Sequence, residues 1–97
     1  MAAYVIYQGE VLDSEGYEIY KERAAASIAA AGGKYLVRGG HIEPLEGDAP
    51  AGRTVVLEFP NTQAALDWYH GEQYTAARNL RDGVARVVSM YVIDGVG

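Results

Sequence analysis

The order in which strand-like and helix-like patterns follow one another constrains the fold of this chain more than any other feature. Runs rich in β-branched and aromatic residues predict strands, and apolar residues at three- and four-residue spacing predict helices. Asp13 and Ser14 are suited to cap the first helix, and Asn61 is suited to cap the second. Gly32 is suited to end the first helix. The predicted strands are 3–11, 34–43, 53–59 and 86–94, and the predicted helical segments are 14–31, 62–70 and 72–82, with a break at Gly71.

This order is β-α-β-β-α-β, which is typical of a ferredoxin-like α+β domain. Such a domain has a four-stranded antiparallel sheet with its helices on one face. The chain has 97 residues, no internal linker and no tandem repeat. It is therefore predicted to form a single domain over residues 1–97.

Composition excludes several functional classes. Thirteen acidic residues outnumber eight basic ones, the net charge is −5, and no basic run occurs, which argues against binding to nucleic acid or to an anionic membrane. The chain has no cysteine, so disulfides, thiolate catalysis and cysteine-ligated metals are excluded. Neither a signal peptide pattern nor an apolar run of about 20 residues is present, and a cytoplasmic location is expected.

Apolar residues occur on both faces of the predicted sheet, although two helices cover only one. Tyr4 and Ile6 alternate with Val5 and Tyr7 in the first strand, and the fourth strand alternates Val87, Tyr91 and Ile93 with Val88, Met90 and Val92. An uncovered apolar face favours association, and the simplest cover is the same face of a second copy. We therefore predict a homodimer; the alternative is that loops and the tail cover this face.

Arg38 is the most conspicuous candidate for a ligand contact. It lies in the segment GGKYLVRGG, a mostly apolar strand pattern bracketed by glycine pairs. If the following loop is symmetric about Asp48, Arg38 faces Glu58 across a hairpin and the two form a cross-strand ion pair. Alternatively, Arg38 binds a carboxylate or carbonyl oxygen of a ligand, and Gly39 and Gly40 permit the ligand to approach closely.

A second group of candidates surrounds the helix break. Trp68 is expected to pack in the core or to contact a ligand, whereas Tyr69 and Tyr74 are candidate hydrogen-bond donors to a bound carbonyl. His41 is a candidate general base because its unperturbed pKa lies near neutrality; His70 is the other histidine. No metal-binding or phosphate-binding motif occurs, so neither a metal nor a cofactor is predicted.

Three blocks in order, GGKYLVRGG, RTVVLEFPN and ALDWYHGEQYTAARNLR, resemble the family known as domain of unknown function 1330. The resemblance extends over residues 4–94 and implies a subunit of the dimeric α/β-barrel superfamily. Gly71 departs from the family pattern, in which a serine is usual. The residues that fall on family motif positions are Arg38, Glu58, Trp68, Tyr69, Tyr74 and Arg81.

Two functions therefore compete at this point. The first is a small-molecule binding domain or a cofactor-independent enzyme of the monooxygenase or isomerase kind, suggested by analogy with related dimeric barrels. In it Arg38, Gly39, Gly40, Glu58, Trp68 and Arg81 bind the ligand, and His41, Tyr69 and Tyr74 are catalytic. The second is a non-catalytic structural or regulatory homodimer in which Arg38 and Glu58 form an internal brace.

Overall fold

A computed structural model describes all residues, 1–97. Four strands and three helices follow the predicted order, and they form one antiparallel sheet with the strand order β2-β3-β1-β4. The architecture is the ferredoxin-like α+β fold that the sequence pattern indicates. The elements are β1 (Ala3–Val11), α1 (Ser14–Ala30), β2 (Lys34–Arg38), β3 (Arg53–Phe59), α2 (Thr62–His70), α3 (Glu72–Arg81) and β4 (Ala85–Asp94).

The helix ends form through the predicted local contacts. The Asp13 carboxylate accepts a hydrogen bond from the Gly16 amide at 3.3 Å, and the Asn61 side chain accepts one from the Ala64 amide at 2.8 Å. Each satisfies an otherwise unpaired amide in the first helical turn. Gly71 has an extended conformation (φ −70°, ψ 160°) between α2 and α3, which confirms the predicted break.

The second strand is shorter than predicted. It ends at Arg38 instead of residue 43, because Gly39 adopts φ +72° and turns the backbone out of the strand direction. The Gly39 amide makes a last hydrogen bond to the Thr54 carbonyl at 2.9 Å. Residues 39–52 then form the connection to β3.

The register of β2 against β3 also differs from the prediction. A bulge at Leu36 separates the pair Tyr35–Leu57 from the pair Val37–Val56. As a result Arg38 lies opposite Val55, and Glu58 lies opposite Lys34. The predicted pairing of Arg38 with Glu58 is therefore wrong, because the loop is not symmetric about Asp48.

The core lies between the helices and one face of the sheet. Odd-numbered residues of β1 and β3 point toward the helices and are mostly buried. Large buried members of this core include Val5, Tyr17, Tyr20, Ile28, Leu57, Phe59, Trp68 and Tyr74. No helix has the length and apolar character needed to cross a membrane.

The opposite sheet face, which we call the outer face, has no helix over it. Strand register places Tyr4, Ile6, Val37, Val56, Tyr91 and Ile93 there. Val87, predicted on the same face as Tyr91 and Ile93, does not lie on the outer face. Val88 forms a bulge opposite the Gln8–Gly9 step, so Val87 pairs with Gly9 on the helix-facing side. Two ion pairs, Lys34–Glu58 and Arg86–Glu10, lie toward the edges of this face.

Candidate functional site

A small cavity lies between α1 and the helix-facing side of the sheet. We call it the arginine cavity. Its volume is about 40 Å³, enough for one or two water molecules. It is lined by Val5, Tyr7, Tyr17, Tyr20, Lys21, Ala24, Ile28, Tyr35, Arg38, Arg53, Val55, Leu57, Trp68, Tyr74 and Met90. The lining combines apolar side chains, five tyrosines and three cationic residues, with no aspartate or glutamate.

Arg38 and Arg53 come to this cavity from the ends of adjacent strands. Arg38 is the last residue of β2 and Arg53 the first of β3. The Arg38 guanidinium is exposed and lies 4.3 Å from the centre of the Tyr35 ring, whereas that of Arg53 lies 5.4 Å from the centre of the Tyr17 ring. Both arginines are thus positioned by aromatic faces, which attract guanidinium groups.

The charges in the cavity are not balanced by the protein. Neither Arg38 nor Arg53 has a carboxylate within 4.0 Å, whereas Lys21 is neutralised by Glu18 at 2.8 Å. The Nε atom of Arg53 is fully buried and has no hydrogen-bond partner. A buried donor without a partner is costly, so the arrangement can take up a hydrogen-bond acceptor from outside the chain.

A network of buried phenols lies deeper in the site. The hydroxyl groups of Tyr20 and Tyr74 are 2.8 Å apart, and Arg81 Nη1 donates to the Tyr74 oxygen at 3.1 Å. Burial raises the pKa of Tyr20, and the nearby Tyr74 raises it further. Burial also raises the pKa of Tyr74, although Arg81 partly opposes this change. Both groups are therefore neutral phenols at physiological pH, which can donate hydrogen bonds.

Tyr7 provides a second unpartnered polar atom. Its hydroxyl oxygen is buried and makes no hydrogen bond of normal geometry. Burial raises the pKa of Tyr17, and the proximity of Tyr7 contributes to the increase, yet no normal hydrogen bond joins the two hydroxyl groups. The arginine cavity therefore contains two buried groups, Tyr7 Oη and Arg53 Nε, whose hydrogen-bonding capacity is unused.

A larger opening lies next to the cavity, between α2 and β4. We call it the α2–β4 cleft. Its volume is about 280 Å³, and it is lined by Val5, Ala65, Leu66, Trp68, Tyr69, His70, Met90, Tyr91 and Val92. Trp68 is held between the two spaces by a hydrogen bond from its Nε1 to Ser27 Oγ at 3.1 Å. The cleft contains no carboxylate and no permanent cation.

The structure brings together some of the residues predicted from the sequence. Arg38, Trp68 and Tyr74 all line the arginine cavity, and Arg81 contacts it through Tyr74. Tyr69 instead lines the α2–β4 cleft. The guanidinium of Arg78, which does not line the cleft, lies 4.6 Å from the centre of the Tyr69 ring. The Tyr69 ring centre is 5.7 Å from that of Tyr74, so the two predicted donors are close but face different spaces.

Other predicted residues lie apart from the cavity. His41 is exposed in the loop after β2 and forms a hydrogen bond with Glu43 at 2.8 Å. Glu58 lies on the outer face and pairs with Lys34 at 3.0 Å. Gly39 lies beside the Arg53 guanidinium, whereas Gly40 is surrounded by open space. Neither His41 nor Glu58 lines the arginine cavity or the α2–β4 cleft.

The cavity residues that sequence reasoning did not single out include Tyr7, Tyr17, Tyr20 and Arg53. Tyr17 and Tyr20 have the spacing of an apolar helix stripe, and Tyr7 alternates with Tyr4 and Ile6 in the first predicted strand, so none of the three was recognised as a polar site residue. Arg53 was interpreted only as the start of a strand. The available signal was the number of tyrosines, eight in 97 residues, since a buried phenol needs a hydrogen-bond partner.

The family pattern described as Domain of unknown function (DUF1330) matches residues 2–96. The chain belongs to the DUF1330 family. None of the curated proteins compared with this DUF1330 chain matches it.

Solved structures similar to this DUF1330 domain show the same fold. One is RPA0582, a protein of unknown function from Rhodopseudomonas palustris, with a TM-score of 0.78 and 14% identity, covering 99% of this chain and 83% of that one. SnoaB, a cofactor-independent oxygenase from Streptomyces nogalater, has a TM-score of 0.64 and 11% identity over 99% and 94% of the two chains. HapK from Hahella chejuensis has a TM-score of 0.62 and 15% identity over 98% and 93%.

Proposed function

We propose that the arginine cavity binds a small anionic ligand through a carboxylate or carbonyl oxygen. The observation that carries this proposal is that Tyr7 Oη and Arg53 Nε are both buried without partners in one cavity lined by cations and no acid. A ligand oxygen placed there accepts hydrogen bonds from both groups. Arg38, at the exposed end of the cavity, contributes a second guanidinium to the same anion.

The same groups are suited to chemistry on a carbonyl compound. Guanidinium and neutral phenol groups stabilise negative charge that develops on an oxygen, as in an enolate. A likeness in fold to SnoaB, whose identity with this chain is 11%, supports this reading only by analogy. We therefore propose a cofactor-independent enzyme or a binding domain, with Tyr74 as a hydrogen-bond donor and His41, in the loop after β2, as the candidate base.

Ligand binding is tested by thermal denaturation in the presence of simple carboxylates, beginning with butanoate and benzoate. We expect the parent protein to be stabilised in a concentration-dependent manner. The Arg38→Ala and Arg53→Met variants should lose at least tenfold in affinity, because each removes a charge-assisted hydrogen-bond donor. Arg23→Ala is the matched control, since Arg23 is an exposed arginine on α1 outside the cavity. Equal responses of the Arg38 variant and the control would contradict the proposal.

We also propose that the protein is a homodimer formed through the outer face. Val37, Tyr91 and Ile93 are exposed on this face. The strand register places them beside the half-buried Ile6 and Val56, so that the five residues form one apolar surface. An apolar surface with charged pairs toward its edges is typical of an interface between subunits. The internal brace of Arg38 and Glu58 is not part of this proposal, because Glu58 pairs with Lys34.

A further inference from the structure

We propose that the arginine cavity and the α2–β4 cleft form one continuous binding site for an elongated amphipathic carboxylate. This inference rests on the proposed function, since it assigns the head group of the ligand to the arginine cavity. It adds a second binding region, for the apolar body of the ligand, and thereby defines the class of ligand.

The sizes of the two spaces are the first argument. The arginine cavity, at about 40 Å³, accommodates a head group but not the body of an organic acid. The neighbouring cleft has a volume of about 280 Å³, close to the lower end of the range of small-molecule sites, roughly 300 Å³. A ligand anchored at Arg53 therefore has room for its apolar part only if it extends beyond the cavity.

The shared wall is the second argument. Val5, Trp68 and Met90 line both spaces, which are therefore neighbours across these three residues. Val5 and Met90 project from adjacent strands and Trp68 from the helix above them. Met90 is unbranched and changes conformation readily. Rotation of the Met90 side chain, whose sulfur lies 4.0 Å from Arg81 Nη1, is the movement by which we infer that the two spaces join.

The chemistry of the cleft is the third argument. Eight of its nine lining residues are hydrophobic, and His70 is the remaining one. A cleft of this composition binds hydrocarbon or aromatic groups, which gain free energy when they leave water. The cation-lined cavity and the apolar cleft thus match the two ends of a monocarboxylic acid with a chain or ring system attached.

The inference is tested with butanoate, octanoate and decanoate below their critical micelle concentrations, using calorimetry and the fluorescence of Trp68, the single tryptophan. We expect the affinity to rise up to about fourfold per added methylene group. The longer acids should change the Trp68 emission more than butanoate does. Octan-1-ol, which lacks the carboxylate, should bind at least tenfold more weakly than octanoate.

A matched pair of leucine variants tests whether the hydrocarbon part of the ligand lies in the cleft. Leu66 lines the cleft and is 37% exposed, whereas Leu80 is 40% exposed and lines neither space. We expect Leu66→Tyr to abolish the increase in affinity with the length of the fatty acid while leaving butanoate binding intact. Leu80→Tyr should retain that increase.

Two results would overturn the inference alone. One is equal affinity for butanoate and octanoate in the parent protein, and the other is a chain-length gain that persists in Leu66→Tyr. Two other results would overturn the proposed function, and this inference with it. One is that the parent protein does not bind butanoate, and the other is that Arg38→Ala does not weaken butanoate binding.

Discussion

The guanidinium group of Arg53 occupies the space where Gly39 lacks a side chain. A Cβ atom built on Gly39 would lie 2.8 Å from Arg53 Cζ and 3.0–3.1 Å from its two terminal nitrogens. Gly39 also has φ +72°, a conformation that other residues adopt at a cost. The turn that ends β2 therefore also creates the space in which a cavity arginine is held.

Replacing Gly39 by alanine should destabilise the protein by about 1–3 kcal/mol, because a side chain at positive φ is strained and the new methyl group displaces Arg53. The free energy of unfolding in urea measures this effect. Gly40→Ala is the control: its Cβ would meet no atom within 4 Å, and its φ is not positive. We expect less than about 0.5 kcal/mol there. Similar losses in the two variants would contradict this explanation.

The hydroxyl groups of two buried tyrosines should differ in their effect on stability. Tyr20 Oη is paired with Tyr74 Oη, whereas Tyr7 Oη has no partner. Tyr20→Phe should therefore cost about 1–2 kcal/mol, since it removes a buried hydrogen bond. Tyr7→Phe should be neutral or slightly stabilising in the unliganded protein, because it removes an unsatisfied buried oxygen. Urea denaturation compares the two variants, and a greater loss for Tyr7→Phe would be inconsistent with the network described above.

The buried phenols should also make the protein less stable at alkaline pH. The pKa values of Tyr17, Tyr20, Tyr35 and Tyr74 are raised in the folded protein, mainly by burial. Above pH ~10 the unfolded chain loses these protons first. The folded state then holds more protons, so the free energy of unfolding falls as the pH rises.

We expect Tyr20→Phe to reduce this alkaline slope by up to about 1.4 kcal/mol per pH unit, the value for one proton. Urea denaturation between pH 8 and 11 measures the slope, and phenolate absorbance identifies the ionising groups. An identical slope in the variant and the parent protein would show that Tyr20 is not among the groups responsible.

The proposed homodimer is tested by placing a charge on the outer face. Ile93 lies on that face and is 53% exposed, whereas Ile19 on α1 is 55% exposed. We expect the parent protein to have twice the monomer mass of 10.5 kDa in light scattering. Ile93→Lys should give the monomer mass, because a buried lysine in an interface lacks a partner, and Ile19→Lys should remain a dimer. A monomeric parent protein would rule out the interface.

Much of the fold followed from local sequence patterns. The caps at Asp13 and Asn61 and the break at Gly71 depend on residues only a few positions apart, and the periodicity that marks each strand depends on its own side chains. The extent of β2 was predicted less well, because Gly39 could be interpreted either as a strand residue or as a left-handed turn.

The candidate site was predictable only in part. Arg38, Trp68 and Tyr74 were identified because they belong to short motifs. Arg53 also begins the block RTVVLEFPN, but neither it nor Tyr7 was recognised as a site residue. Their role depends on what surrounds them in space, namely an unfilled cavity and the absence of any hydrogen-bond partner. Neither condition is a property of a sequence pattern.

By itself, then, the sequence determined the order of the elements, the ferredoxin-like fold and the apolar character of both sheet faces, because these depend on local periodicity. Only the tertiary structure decided the register of β2 against β3. Because of the bulge at Leu36, Arg38 lies on the helix-facing side of the sheet, opposite Val55. Glu58 lies opposite Lys34 and forms an ion pair with it. Register depends on packing between strands that are distant in the chain, and for that reason no local pattern revealed that Arg38 joins Arg53.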